Sequence, residues 1–166
     1  MEYKFILLII AIVIVIAFGH PQTSDLPSEA KPKNNLKGKI SLIDNVGTAR
    51  RLFPGATFTK LDKNLRSGKG SIVYTLGRRS GGDRVVATDS DRGEWGSEKD
   101  IQVLIEYPAR GRGDIVTYVA VIVEQSSNVG DAYVVSGGIG QRNIGFIIEA
   151  KGSSYINYDA FIYGKP

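Results

Sequence analysis

Apolar and polar residues alternate through most of the chain after residue 70, and this period of two predicts β-strands. The clearest case is 101–107, where isoleucine and valine alternate with Gln102 and Glu106. Six further segments alternate or are rich in β-branched and aromatic residues: 72–76, 84–88, 115–124, 132–135, 144–150 and 155–163. Because Gly, Asn, Asp and Ser clusters separate them, we predict an all-β fold, an antiparallel two-sheet sandwich of about seven to nine short strands.

The pattern upstream is weaker. Residues 40–53 combine a weak helical spacing with β-branched residues, so either a helix or a short strand fits. We expect ordered structure to begin near Ile40. Residues 40–166 then form a single domain, which is long enough to bury a core of its own.

The first residues have the layout of a secretory signal peptide. An unbroken apolar run over 5–18 follows a positive charge, and Ala17 and Gly19 supply small residues for cleavage. The run is shorter than the roughly 18 to 20 residues that cross a bilayer, which disfavours an uncleaved anchor. We therefore predict a signal peptide over 1–19 and a secreted, extracellular protein with no membrane attachment after cleavage.

Residues 20–39 are rich in Pro, Asn and Ser and predict a disordered basic linker. Lys31, Lys33, Lys37 and Lys39 lie in it. They are either a basic arm for an acidic surface, a glycan or nucleic acid, or solvated linker charges. The absence of aromatic residues favours the linker, and we expect no nucleic-acid partner.

Composition limits the chemistry. The chain has no cysteine, and its one histidine, His20, lies at the predicted mature N-terminus. Thiol catalysis is excluded, and a Ser-His-Asp triad lacks a positioned imidazole. We predict a protein that is not an enzyme and that has no cofactor. Paired carboxylates for glycoside hydrolysis stay open, since pairing across strands is invisible in sequence.

A glycine-rich stretch includes Gly137, Gly138 and Gly140. A dinucleotide-binding loop would have a third glycine where this chain has Asn143, and a helix would follow it. Here the following residues alternate like a strand. We therefore interpret the three glycines as a structural turn between strands.

Asp89, Asp91 and Asp100 have the spacing of weak calcium-ligand candidates. The glycine that such a loop requires is replaced by Glu94, and no helix flanks the segment. The default interpretation is therefore a solvated hairpin loop around Trp95, with no metal.

The tripeptide Arg112-Gly113-Asp114 lies between two predicted strands. It is either an adhesion motif presented to an integrin or ordinary hairpin-tip composition.

The C-terminal half resembles the insect family named for multiprotein bridging factor two. The resemblance covers residues 101–164, with a glycine near Gly152 and these motifs: Tyr107-Pro108, Asn128-Val-Gly-Asp-Ala132, Ser136-Gly-Gly-Ile-Gly140 and Phe161-Ile-Tyr-Gly164. The chain departs from the family at Ala150–Ser153. Upstream, the family's Gly-Asp-Arg element aligns with either Gly82–Arg84 or Gly70–Leu76.

The resemblance implies a small secreted β-domain, since many members are labelled salivary or venom peptides. It also implies a second role, because the founding member is described as a coactivator that bridges a DNA-bound regulator to a basal transcription factor. Our leading hypothesis is a secreted, non-enzymatic binding protein with an unknown protein or glycan partner. The alternatives are a transcriptional coactivator and a secreted carbohydrate-binding or carbohydrate-active protein.

Overall fold

The computed structural model of the chain describes residues 35–44, 49–68 and 70–166. The predicted signal peptide and residues 20–34 of the predicted linker lie outside the described residues. The elements are β1 (Lys37–Ile43), α1 (Ala49–Leu52), β2 (Thr59–Lys60), β3 (Asp62–Leu65), β4 (Ser71–Gly77), β5 (Arg84–Tyr107), β6 (Ile115–Gln125), β7 (Gly130–Gly137) and β8 (Ile144–Lys165). The prediction of an all-β fold is confirmed.

The strands form one hydrogen-bonded antiparallel sheet of eight strands. The main path runs β1-β5-β8-β6-β4-β3, while β7 adds to β8 and β2 adds to β7. The strand count lies within the predicted range.

Two long strands pass through both halves of this sheet. Residues 84–94 of β5 pair with 155–164 of β8, whereas 101–107 of β5 pair with 144–150 of β8. The ladder shifts register between Glu94 and Ile101, where the two halves meet. The sequence pattern predicts separate short strands at 84–88 and 101–107, and again at 144–150 and 155–163. In the structure the first pair is continuous as β5 and the second as β8. The predicted hairpin loop around Trp95 is therefore wrong, because Trp95 lies within β5 and packs against the core.

One apolar core lies between the two halves of the sheet. Alternate residues of the strands from both halves are buried in it, including Val119 and Val121 of β6 and Val103 and Ile105 of β5. Each such side chain contributes about 1.5–3 kcal/mol by leaving water. With no cysteine in the chain, this core stabilises the domain without disulfides.

The N-terminal part of the domain differs from its prediction. β1 begins at Lys37, ahead of the predicted start at Ile40, and Leu36 is already buried. The ambiguous segment, 40–53, contains the end of β1 and, after Asp44, the single turn α1. Ala49 of this turn packs with Val135 and Ile147 on the side of the sheet away from the main core. Among the described residues, no helix has the length and apolar character of a membrane span.

Candidate functional site

Three connections meet at the beginning of β6: residues 77–84, 108–114 and 138–143. Together they contain six arginines and two aspartates and no other charged residue. Their formal charge is therefore +4, which equals that of the whole chain. We call this surface the arginine end. The arginines are Arg78, Arg79, Arg84, Arg110, Arg112 and Arg142.

Backbone hydrogen bonds fix the first and third connections to β6. Arg78 N donates to Thr117 O at 3.2 Å. Val116 N donates to Gln141 O, and Gly140 N donates back to Val116 O, both at 2.8 Å. These bonds bring together arginines that are far apart in sequence.

Asp83 holds the first connection to β6 through its side chain. Its Oδ1 accepts from the Arg79 guanidinium at 2.8 Å, and its Oδ2 accepts from Ser80 N at 2.8 Å and from Thr117 Oγ1 at 3.0 Å. The hydrogen bond from Arg79 is the main reason that the pKa of Asp83 falls to about 2. The carboxylate is therefore charged at neutral pH and serves to hold the loop.

The Arg112-Gly113-Asp114 tripeptide is built into the second connection. Gly113 is buried, and its carbonyl accepts from the Arg142 guanidinium at 3.1 Å. Asp114 N donates to the Tyr107 hydroxyl at 2.7 Å, and its carboxylate accepts from the Arg84 guanidinium at 3.1 Å. Presentation of Asp114 to an integrin would require this ion pair to break. Only Arg112 of the three is exposed.

The third connection is the glycine-rich stretch between β7 and β8. Gly137, Gly138 and Gly140 all have positive φ, at 62°, 150° and 80°. Gly138 N donates to Asn143 O at 3.0 Å, which closes the turn. At Gly137 a Cβ would collide with the Asn143 carbonyl, so a side chain is excluded by space as well as by φ.

The weak metal candidates are not brought together. Asp89 accepts a 2.6 Å hydrogen bond from the Tyr158 hydroxyl, and Asp91 is exposed on the same strand. Asp100 lies within the register shift and accepts from Gly152 N at 3.0 Å. Within the described part of the chain, no group of three or more potential ligands could hold a metal ion.

A second surface is a shallow polar trough on the outer face of β5 and β8. Ser90, Arg92, Asn157 and Asp159 line its middle, and Tyr155, with 39% of its surface exposed, lies at one end. The two strands pair with each other beneath it. The floor therefore offers side chains to a ligand, but no free backbone edge.

Sequence reasoning missed the arginine end. It considered Arg112 only as part of an adhesion tripeptide and gave the other five arginines no role. The available signal was the concentration of arginine in three loops that flank predicted strands. Recognising it as one surface requires the strand order, which places the three loops together.

A comparison with protein families gives a match that includes the arginine end. A sequence model of the family described as transcription activator MBF2 matches residues 76–164, more than half of the chain. Neither the curated proteins nor the solved structures contain a match. The match confirms the resemblance over 101–164 and extends it upstream to residue 76. Of the two upstream alternatives, it includes Gly82–Arg84, whereas of Gly70–Leu76 it includes only Leu76. The chain therefore belongs to the transcription activator MBF2 family.

Proposed function

We propose that this chain is a coactivator of transcription that works by binding other proteins. The observation that carries the proposal is the family match over residues 76–164. The matched range contains β5, β6 and β7 and nearly all of β8, together with all of the arginine end. This surface therefore lies within the part of the chain that matches the family.

The chemistry of the arginine end supports binding rather than catalysis. Both of its carboxylates, Asp83 and Asp114, are engaged by arginines. The Tyr107 hydroxyl accepts a hydrogen bond from a backbone N–H, and burial raises its pKa further from neutrality. These groups hold the loops in place. The arginines that extend from them are suited to contacts with a partner.

A tethering assay tests the proposal. The full chain is fused to a heterologous DNA-binding domain, and transcript from a reporter with matching sites is measured in cells. We expect more transcript than with the DNA-binding domain alone. An equal amount, with the fusion present in the nucleus at a matched level, would overturn the proposal. The untethered chain is the control for indirect effects.

The apolar run over residues 5–18 favours a second candidate, a secreted binding protein with a protein or glycan partner. In that setting, the polar side chains of the trough are suited to the hydroxyl groups of a glycan. N-terminal sequencing of the product from cells and from medium separates the candidates. A product in the medium that begins near His20 supports secretion, whereas a nuclear product that retains residues 1–19 supports the coactivator.

A further inference from the structure

We propose that the arginine end binds an acidic polypeptide segment in which apolar residues are interspersed among the carboxylates. The inference rests on the proposed function only for the role of the partner, which would be another component of the transcription machinery. The binding chemistry itself rests on the charge, exposure and contacts described below.

The positive charge of this surface lies outside its negative charge. The Arg79 side chain is 52% exposed, while its partner Asp83 is 2% exposed. The Arg84 side chain is 67% exposed, and Asp114 is 28% exposed. An approaching partner therefore meets guanidinium groups before it meets the two carboxylates.

Three more arginines have guanidinium groups that make no ion pair or hydrogen bond with the described residues: Arg78, Arg110 and Arg112. All three are exposed. A guanidinium presents paired N–H donors in the geometry that a carboxylate accepts. Arginine clusters of this kind recognise acidic motifs. Three such groups can bind carboxylates without breaking an existing ion pair.

An apolar side chain lies beside these charges. Ile139, at the tip of the third connection, is 40% exposed. It lies against Gly77, where a Cβ would come within 2.8 Å of the Ile139 side chain. Gly77 directly precedes Arg78, so the apolar contact and a guanidinium are adjacent. A partner that combines acidic with apolar residues engages both.

Nucleic acid fits the same surface less well. Single-stranded binding uses exposed aromatic rings on which bases stack. Tyr107 is buried, and two further rings of this region, Tyr118 and Tyr163, are half-buried with their centroids 5.6 Å apart. The Arg79 guanidinium covers the Tyr163 ring at 3.9 Å. Both rings are less exposed than Ile139, which is 40% exposed.

Fluorescence anisotropy with the full chain tests the inference. The probe is a fluorescein-labelled peptide in which pairs of glutamates alternate with leucines. A peptide with glutamine in place of glutamate and a labelled oligothymidine serve as comparison probes. The test variant is R78A/R110A/R112A, and the matched control is R66A/K99A/K151A, which removes the same charge from exposed positions elsewhere.

We expect the acidic peptide to bind, with an affinity about tenfold lower in R78A/R110A/R112A, since exposed charge pairs contribute modestly and in sum. The control variant should bind within about twofold of the unmodified chain. Ile139→Ser should weaken binding of the acidic peptide but leave any binding of oligothymidine unchanged. The glutamine peptide should not bind.

Equal losses in the two triple variants would overturn the inference, and so would tighter binding of oligothymidine than of the acidic peptide. Absence of peptide binding by a chain that activates the tethered reporter would overturn this inference alone. Peptide binding without reporter activation would retain this site and overturn the proposed function.

Discussion

The two ends of β4 and β6 are held by different chemistry. At the arginine end, charged side chains fix the loops, and Asp83 and Asp114 each accept from an arginine. At the opposite end, residues 70, 125–130 and 152–155 contain no charged side chain. We call this opposite surface the neutral end. There, hydroxyl and amide groups bind one another and the backbone, and the charged groups that contact this end, Lys63 and Asp100, belong to other segments.

The neutral end is a network of hydrogen bonds in which the Gln125 amide donates, while its Oε1 has no partner among the described residues. The fully buried Gln125 donates through Nε2 to Ser127 O at 2.8 Å and to Val129 O at 3.2 Å. Ser153 Oγ, also fully buried, accepts from Ser126 N at 2.9 Å and donates to Tyr155 O at 2.6 Å. Most of the hydrogen-bonding capacity is used internally. The arginine end instead has three guanidinium groups that are free to bind a partner. We therefore infer that the neutral end stabilises the sheet, whereas the arginine end also binds a partner.

The largest expected effect is at the neutral end. Gly70 has a φ of 82°, and a Cβ there would collide with the Gln125 carbonyl. Gly70→Ala should lower the free energy of unfolding by about 3 kcal/mol or more, because strain and a backbone clash add. Denaturant unfolding monitored by circular dichroism measures this change.

Gly81→Ala is the matched control at the arginine end. A Cβ at Gly81 meets nothing within 4 Å, and its φ is not positive. Its unfolding midpoint should stay close to that of the unmodified chain. A similar loss of stability in both variants would show that the destabilisation comes from replacing a glycine as such. It would contradict a specific role for the tight packing of the neutral end.

Asp83→Asn should have the next largest effect and lower the free energy of unfolding by about 2 kcal/mol. It removes the buried negative charge that accepts hydrogen bonds from three donors. The effect depends on pH in a defined direction. The folded-state pKa, about 2, lies below the ordinary value of 3.8, so this stabilisation is present above about pH 4 and is lost as pH falls toward about 2.

The difference in unfolding free energy between the unmodified chain and Asp83→Asn, measured from pH 7 downward, checks this prediction. It should be constant above about pH 4 and should shrink below it. A difference that grows on acidification would contradict the assignment of Asp83 as a charged loop anchor.

Arg84→Ala should have the smallest effect on stability, at most about 0.5 kcal/mol, because its ion pair with Asp114 is largely exposed. Thermal unfolding at low and at high salt measures it. A loss of stability as large as that of Asp83→Asn would mean that the two ion pairs of the arginine end contribute equally to the stability of the domain.

The strand pattern was predictable because alternation reports which side of a strand is buried. Val103 and Ile105 are buried and Glu106 is exposed, as their spacing indicates, whereas Gln102 is buried and donates to the Glu149 carboxylate. The continuity of β5 was not predictable. The Gly and charged residues around Trp95 resemble a turn, and only pairing with β8 on both sides of the register shift keeps the strand continuous.

The arginine end was harder to predict than the fold. Arg79 and Arg142 are far apart in sequence, and the hydrogen bonds of β6 with both flanking loops bring them to one surface. The role of Asp83, in the connection before β5, depends on Thr117, which lies in β6. Local sequence gives the residue types, but such contacts depend on strand order and register.

Hydrogen–deuterium exchange of the full chain, with and without the peptide of glutamates and leucines, shows directly whether the arginine end is the binding surface. We expect slower exchange in residues 77–84, 108–114 and 138–143 on binding, with residues 125–130 unchanged. Protection confined to the neutral end or to the trough of β5 and β8 would contradict it.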